Sequence, residues 1–188
     1  MNPDVLDQIE CHVRGGFVPI DDISRIVLET WDSEALDPDE VHGLVRASGR
    51  ALRKQARTWP EMTDCDRLDA AFRALFDRRV IALQNAGLTQ SDGYDDVRTA
   101  VHSHPEPASF IGYCFFHGQD LELALKGRGL YLAFGPMDPK LEQTMGPQVG
   151  RMVVEEVERV GLQTEWNETF GQRILVRPLD WKRRRTDW

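Results

Sequence analysis

Residues Phe110–Gly135 read FIGYCFFHGQDLELALKGRGLYLAFG, and the fold class turns on them. Phe110, Ile111, Tyr113, Cys114, Phe115 and Phe116 form a short run of strand-forming residues. Gly118 interrupts that run. Leu121, Leu123, Ala124 and Leu125 then supply the apolar side of a helix, which Gly127 and Gly129 stop. Leu130, Tyr131, Leu132, Ala133 and Phe134 form a second buried-strand run. Roughly a dozen residues separate the two strands, about the minimum for a parallel crossover. The expectation is a βαβ unit at the centre of a mixed sheet.

On the N-terminal side, Val80–Leu83 reads as a short buried strand ending at Asn85-Ala86-Gly87. Leu88–Gly93 is polar and turn-like, and Tyr94–His102 reads as one short helix. On the C-terminal side, a loop holding Pro136 and Pro139 leads to a long helix starting near Pro147, with Val149, Met152, Val153, Val157 and Val160 inward. Gln163–Asn167 and Gln172–Val176 read as a closing hairpin around Thr169-Phe170-Gly171. Upstream, residues 1–77 have helical spacing throughout. Asn2-Pro3 starts the first helix and Gly15-Gly16 ends it; Asp21 or Asp22 caps a second; Asp37, Pro38 and Glu40 give the third a capping box. Thr63 begins a fourth, with Leu68, Ala71, Phe72 and Leu75 along one face.

The fold expected is α/β in the mixed α+β sense: an N-terminal helical part packed on a four- to five-stranded mixed sheet with one βαβ unit and a C-terminal hairpin. It divides into a helical region 1–77, a mixed α/β domain 78–181 and a basic, exposed tail 182–188.

Composition narrows the function classes. Of the 188 residues, 41% are apolar, enough for a core, and 29% are charged, with a net charge of −8. That charge repels phosphate backbones, so nucleic acid is disfavoured and a basic protein partner is electrostatically easier. Cys11, Cys65 and Cys114 are odd in number and far apart, a pattern of neither a disulfide framework nor a structural zinc site. The expected compartment is reducing and cytoplasmic. Asp4, Asp7 and Glu10 stand where a signal peptide carries basic and apolar residues, and no apolar run has the roughly 20 residues that span a bilayer.

The segments AAFRALFDRRVIALQNAG, GYCFFHGQDLELALKGRGLYLAFG, VGRMVVEEVERVGLQTEW and RILVRPLDW together resemble an uncharacterised bacterial family of unknown function. Its pattern is a strand, HxQD, a helix and a GLYLAFG strand. The resemblance covers roughly residues 64–184. It implies a fold and assigns no activity, cofactor or catalytic residue.

His117, Gln119 and Asp120 form the best candidate binding constellation. His117 falls where a strand ends, and Gln119 and Asp120 enter the following helix. In α/β sheets the crevice beyond the strand ends is the usual ligand position. Histidine can serve as base or metal ligand, oriented by a carboxylate; helix-start amides attract anions, and Gly118 leaves room for approach. The competing reading is structural: Asp120 in the first turn caps the helix, and Gln119 is solvated. His102 and His104, flanking Ser103, have two-apart spacing that suits a metal on an extended segment or a polar loop, and the loop reading is preferred. Cys114 in a buried strand reads as inert. Trp166 and Trp181 read as core-edge residues, Trp188 adds aromatic surface, and Lys182–Arg185 can touch an acidic partner. Gly127-Arg128-Gly129 follows a helix and precedes a strand, the reverse of a dinucleotide loop.

No metal-ligand or cofactor motif is present, and no cofactor is expected. The functional expectation is a protein-binding or regulatory module, inhibitor- or immunity-like. The alternative is a small enzyme, a metal-assisted hydrolase acting through His117 and Asp120.

Overall fold

The structure, a computed structural model, describes residues 1–31 and 36–187; Trp188, read above as aromatic surface, lies outside the described residues. The chain forms two compact units, Met1–Thr63 with Trp181–Trp188, and Asp64–Asp180. The helix expected from Thr63, grouped above with the N-terminal helices, belongs to the second unit, and the basic tail belongs to the first.

In the first unit, α1 (Pro3–Gly15), α2 (Ile20–Thr30) and α3 (Pro38–Ala56) pack on one another. The apolar spacing read from the sequence is the spacing that is buried: Val5, Ile9, Val13, Ile23, Val27, Val41, Val45 and Leu52 form one core. Each such side chain contributes roughly 1.5–3 kcal/mol on burial. Asn2 and Asp37 cap α1 and α3 by accepting from the amides of Asp4 and Asp39, both at 3.0 Å. Helix α2 differs from expectation. Asp21 and Asp22 lie inside its first turn, and no side chain of its own segment caps it. Its Ile20 amide instead donates to Oδ2 of Asp187 at 2.7 Å.

That contact belongs to a larger correction: within the C-terminal segment expected to be exposed, Arg184, Thr186 and Asp187 are exposed, but Arg185 is built into this unit. Arg185, 6% exposed, donates to the carbonyls of His12 and Val13, each at 3.3 Å, and to that of Val18. Trp181 donates to the Arg14 carbonyl at 3.2 Å. Three carbonyls at the end of α1 are thus satisfied by the tail, as the last turn of any helix requires of some donor. Asp187 neutralises Arg185 at 2.7 Å, and Arg185 in turn holds the Asp187 carboxyl below the usual carboxylate range. Arg183 lies over the Phe17 ring at 4.4 Å.

In the second unit, α4 (Asp64–Asp77) leads into β1 (Val80–Leu83), α5 (Gln90–His102), β2 (Gly112–Phe115), α6 (Gly118–Leu125), β3 (Leu130–Pro136), α7 (Glu142–Arg159), β4 (Thr164–Glu165) and β5 (Ile174–Val176). The sheet order is β1-β2-β3-β5-β4, a mixed five-stranded sheet as expected. The parallel pair is not the expected one. β1 and β2 run parallel, from Val80 opposite Gly112 to Leu83 opposite Phe115, and α5 is their crossover. β2 and β3 are antiparallel, with Cys114 opposite Phe134. The link through α6 is long enough for either geometry, so length alone does not decide between them. The β4–β5 hairpin forms, with Thr164 opposite Val176.

α5 begins at Gln90, earlier than expected, because Thr89 and Asp92 make a reciprocal capping box. It covers the sheet face carrying Ile81, Tyr113, Phe115 and Ala133. α7 lies against β3 and α4. It starts at Glu142 and holds Pro147 inside, where the missing N–H deprives the Gln143 carbonyl of its helical donor. Arg78 joins the end of α4 to α7 through Glu155 and Glu156, each at 2.9 Å.

Candidate functional site

The site lies where β2 ends and α6 begins. Phe116 is fully buried and His117 is 4% exposed. The turn after β1 closes over this corner. The Ala86 amide donates to the Phe116 carbonyl at 2.9 Å, the Gly118 amide to Gly87 at 2.9 Å, and the Gln119 amide to Leu88 at 3.2 Å. The first amides of α6, expected to attract an anion, are therefore occupied by backbone carbonyls. Gly118 leaves no room for a ligand either: a Cβ there would sit 3.1 Å from a methyl carbon of Leu88. This glycine serves the close approach of the Gly87–Leu88 turn.

Asp120, 1% exposed, is the centre of the corner. Its Oδ2 accepts from the His117 backbone amide at 3.3 Å and faces the His117 Nε2 at 3.1 Å. Arg173, just before β5, donates from one terminal nitrogen to Oδ1 at 2.9 Å and Oδ2 at 3.1 Å. The guanidinium also lies over the Tyr131 ring, 4.9 Å from its centre, a geometry that favours a cation. Nε2 also lies 3.4 Å from the same Arg173 nitrogen, so carboxylate and guanidinium meet at one ring atom. Nδ1 is buried with no hydrogen-bond partner. The Leu88 carbonyl favours the protonated ring without closing a hydrogen bond to it. Burial pushes the His117 pKa below its ordinary value, and Arg173 pushes the same way against the opposing pull of Asp120.

His117 and Asp120 are thus brought together, and Gln119 is not: its side chain is exposed. His102 is exposed at the end of α5. The His104 Nδ1 accepts from the Glu106 amide at 3.1 Å, and its ring meets Phe110 edge-on at 4.9 Å. No group of three metal-ligating side chains occurs among the described residues. Burial raises the Cys114 thiol pKa well above its usual range. Trp166 packs on Phe134 at 5.2 Å between ring centres and donates to the carbonyls of Thr169 and Gln172, while Trp181 is buried. Both have structural roles.

A family model described as a domain of unknown function, DUF6891, matches residues 1–185. The chain belongs to this family. The DUF6891 match takes in the N-terminal helices as well as residues 64–184, so all three elements of α1–α3 and the docked Arg185 lie within the family's domain. Comparison with curated proteins and with solved structures finds no match to either. Within this DUF6891 domain, sequence reasoning missed Arg173 and the Leu88 carbonyl as members of the corner. Arg173 stands 53 residues from Asp120; its only local signal was a cation beside a closing strand. No helix among the described residues is long and apolar enough to cross a membrane.

Proposed function

We propose that this protein is a protein-binding module of regulatory kind, an inhibitor- or immunity-like partner of another protein, in which His117 and Asp120 serve structure. The observation that carries this reading is the saturation of Asp120. Its two oxygens hold the His117 amide, the His117 ring and Arg173 while the side chain is 1% exposed. A catalytic carboxylate needs an oxygen within reach of a reacting group, and here the reach is taken up internally. The amides expected to receive an anion are likewise engaged. A binding role asks nothing of this corner beyond holding α6 to β5.

One observation favours the second reading, a small enzyme acting through His117 and Asp120: Nδ1 of His117 is buried without a partner. An orphaned buried ring nitrogen is costly and calls for a reason. A metal-assisted hydrolase would use it after the Gly87–Leu88 turn moved aside.

Cross-linked capture from the native cell, followed by reconstitution with the purified partner, tests the first reading. A stoichiometric complex whose affinity is unchanged by His117→Asn is the expected result. Failure of every captured candidate to reconstitute, together with a hydrolytic activity abolished by His117→Asn, would replace it with the second.

A further inference from the structure

The second half of α3 carries Arg46, Arg50, Arg53 and Lys54, and Arg57 stands at its C-cap, all five exposed. None of the five makes an ion pair among the described residues. This is unusual in a chain with 31 acidic and 23 basic residues, where most other arginines, such as Arg14, Arg25, Arg78, Arg159 and Arg177, have found a carboxylate. Along α3 and its C-cap, where Arg57 keeps helical backbone angles, the cations are one another's neighbours. Pairs 46–50, 50–54 and 53–57 stand four apart, and pairs 50–53 and 54–57 three apart, spacings at which like charges destabilise a helix. Arg53 and Lys54 in the last turn complement the helix dipole. Arg46 and Arg50 lie too far from the end to gain from it. The folded chain alone therefore bears a self-repulsion that an anionic surface would relieve.

From these observations we infer that the outer face of α3 docks a short acidic α-helical segment of a partner protein. This rests on the protein-binding reading above and names the chemistry of the partner. The stripe from Arg46 to Arg57 is about 16 Å long at 1.5 Å per residue, three turns of a facing helix. Carboxylates four apart on that helix match its spacing. Arginine is the side chain suited to such contacts, since its planar fork takes a carboxylate two-pronged. Exposed Gly43, Ala47 and Ala51 lie beside the cations and let a facing backbone come close. The net charge of −8 is no obstacle at contact distance, because charges are screened beyond roughly 8 Å at physiological salt.

The same face argues against nucleic acid. Asp37, Asp39 and Glu40 are exposed at the N-terminal end of α3, so a continuous phosphate backbone following the stripe would run onto three carboxylates. A finite acidic helix ends before them. This face presents no Phe, Tyr or Trp ring among the described residues on which a base could stack; the one ring on α3 is that of His42, whose Nδ1 is held 2.6 Å from the Pro38 carbonyl.

The test is fluorescence anisotropy with a synthetic helical peptide that carries glutamates four apart over three turns and lysines beyond. The expected result is salt-sensitive binding that falls more than tenfold in R46E/R50E/R53E and is unchanged in K126E/R128E, which reverses exposed charge elsewhere. A peptide with lysine in place of each glutamate should bind the triple variant instead. Equal loss in both variants, no binding at 1 mM peptide, or a 20-nucleotide strand bound as tightly as the peptide would each overturn the inference. A reconstituted natural partner that binds wild type and the triple variant alike would overturn it while leaving the protein-binding reading intact.

Discussion

The Arg173 guanidinium sits 2.9 Å from Oδ1 of Asp120, and one nitrogen makes both of its contacts with that carboxylate. A single point of contact has a consequence for substitution. Arg173→Ala leaves a carboxylate that is 1% exposed without its cation, and should cost about 2 kcal/mol, less than the 3–5 of a fully buried pair because Arg173 is 33% exposed. Arg173→Lys supplies a point charge and should recover more than half of that loss. Urea unfolding of the two variants checks the order; equal losses would show that the ion pair is not what Arg173 contributes.

Stability should fall as pH drops from 7.5 to 5.5. Burial holds the His117 imidazole below 6.5 in the native state, aided by Arg173 and opposed by Asp120. The unfolded chain therefore takes up a proton near pH 6.5 that the native chain refuses, so the contribution is full above 6.5 and is lost below it. His12, depressed by burial in α1, acts in the same direction. Unfolding midpoints at the two pH values should differ less in His117→Asn than in wild type. An identical pH dependence in the variant would assign the effect elsewhere.

Arg185→Ala should destabilise the helical unit by about 3 kcal/mol. It takes the Arg185 donor from the Val13 and Val18 carbonyls, leaves the His12 carbonyl with the Gly16 amide alone and strips Asp187 of its cation, and bonds to a charged group are worth roughly 1.5–3 kcal/mol each. Circular dichroism melting reports it. A loss below 0.5 kcal/mol would mean that the tail is not anchored through Arg185.

Gly93→Ala should cost about 1–3 kcal/mol, the usual range for overpacking. A Cβ at Gly93 would stand 2.2 Å from the Phe115 ring, forcing α5 away from β2. Chemical denaturation measures the change, and a neutral or stabilising outcome would contradict the packing of α5 on that ring.

The sequence made the helices and strands legible where periodicity and local caps coincide. Val5, Ile9 and Val13 lie on the buried side of α1, and Asn2 and Asp37 cap as their chemistry predicts. Strand direction was not legible. The segment between Phe115 and Leu130 is compatible with a crossover or an antiparallel return, and pairing with β1 and β5, set by distant residues, decides it. The Thr89–Asp92 box was legible in principle but hidden by the turn-like look of Leu88–Gly93. At the candidate site, Asp120 as a cap was readable from its place three residues after His117. Arg173 was not, because nothing in a linear pattern ties it to Asp120. The tail misled for the same reason: four consecutive basic residues look solvated until the carbonyls of α1 that Arg185 serves are in place.

The most direct measurement for the account as a whole is the unfolding free energy of Asp120→Asn. A cap alone would be largely kept by asparagine. Here the amide must also face Arg173 and the buried His117 ring, and the loss of charge there removes what holds α6 to β5. The account predicts a loss of about 2 kcal/mol, on the scale of a partly buried pair broken at one partner. A variant within 0.5 kcal/mol of wild type that has lost its binding or activity would contradict it, and would return the corner to function.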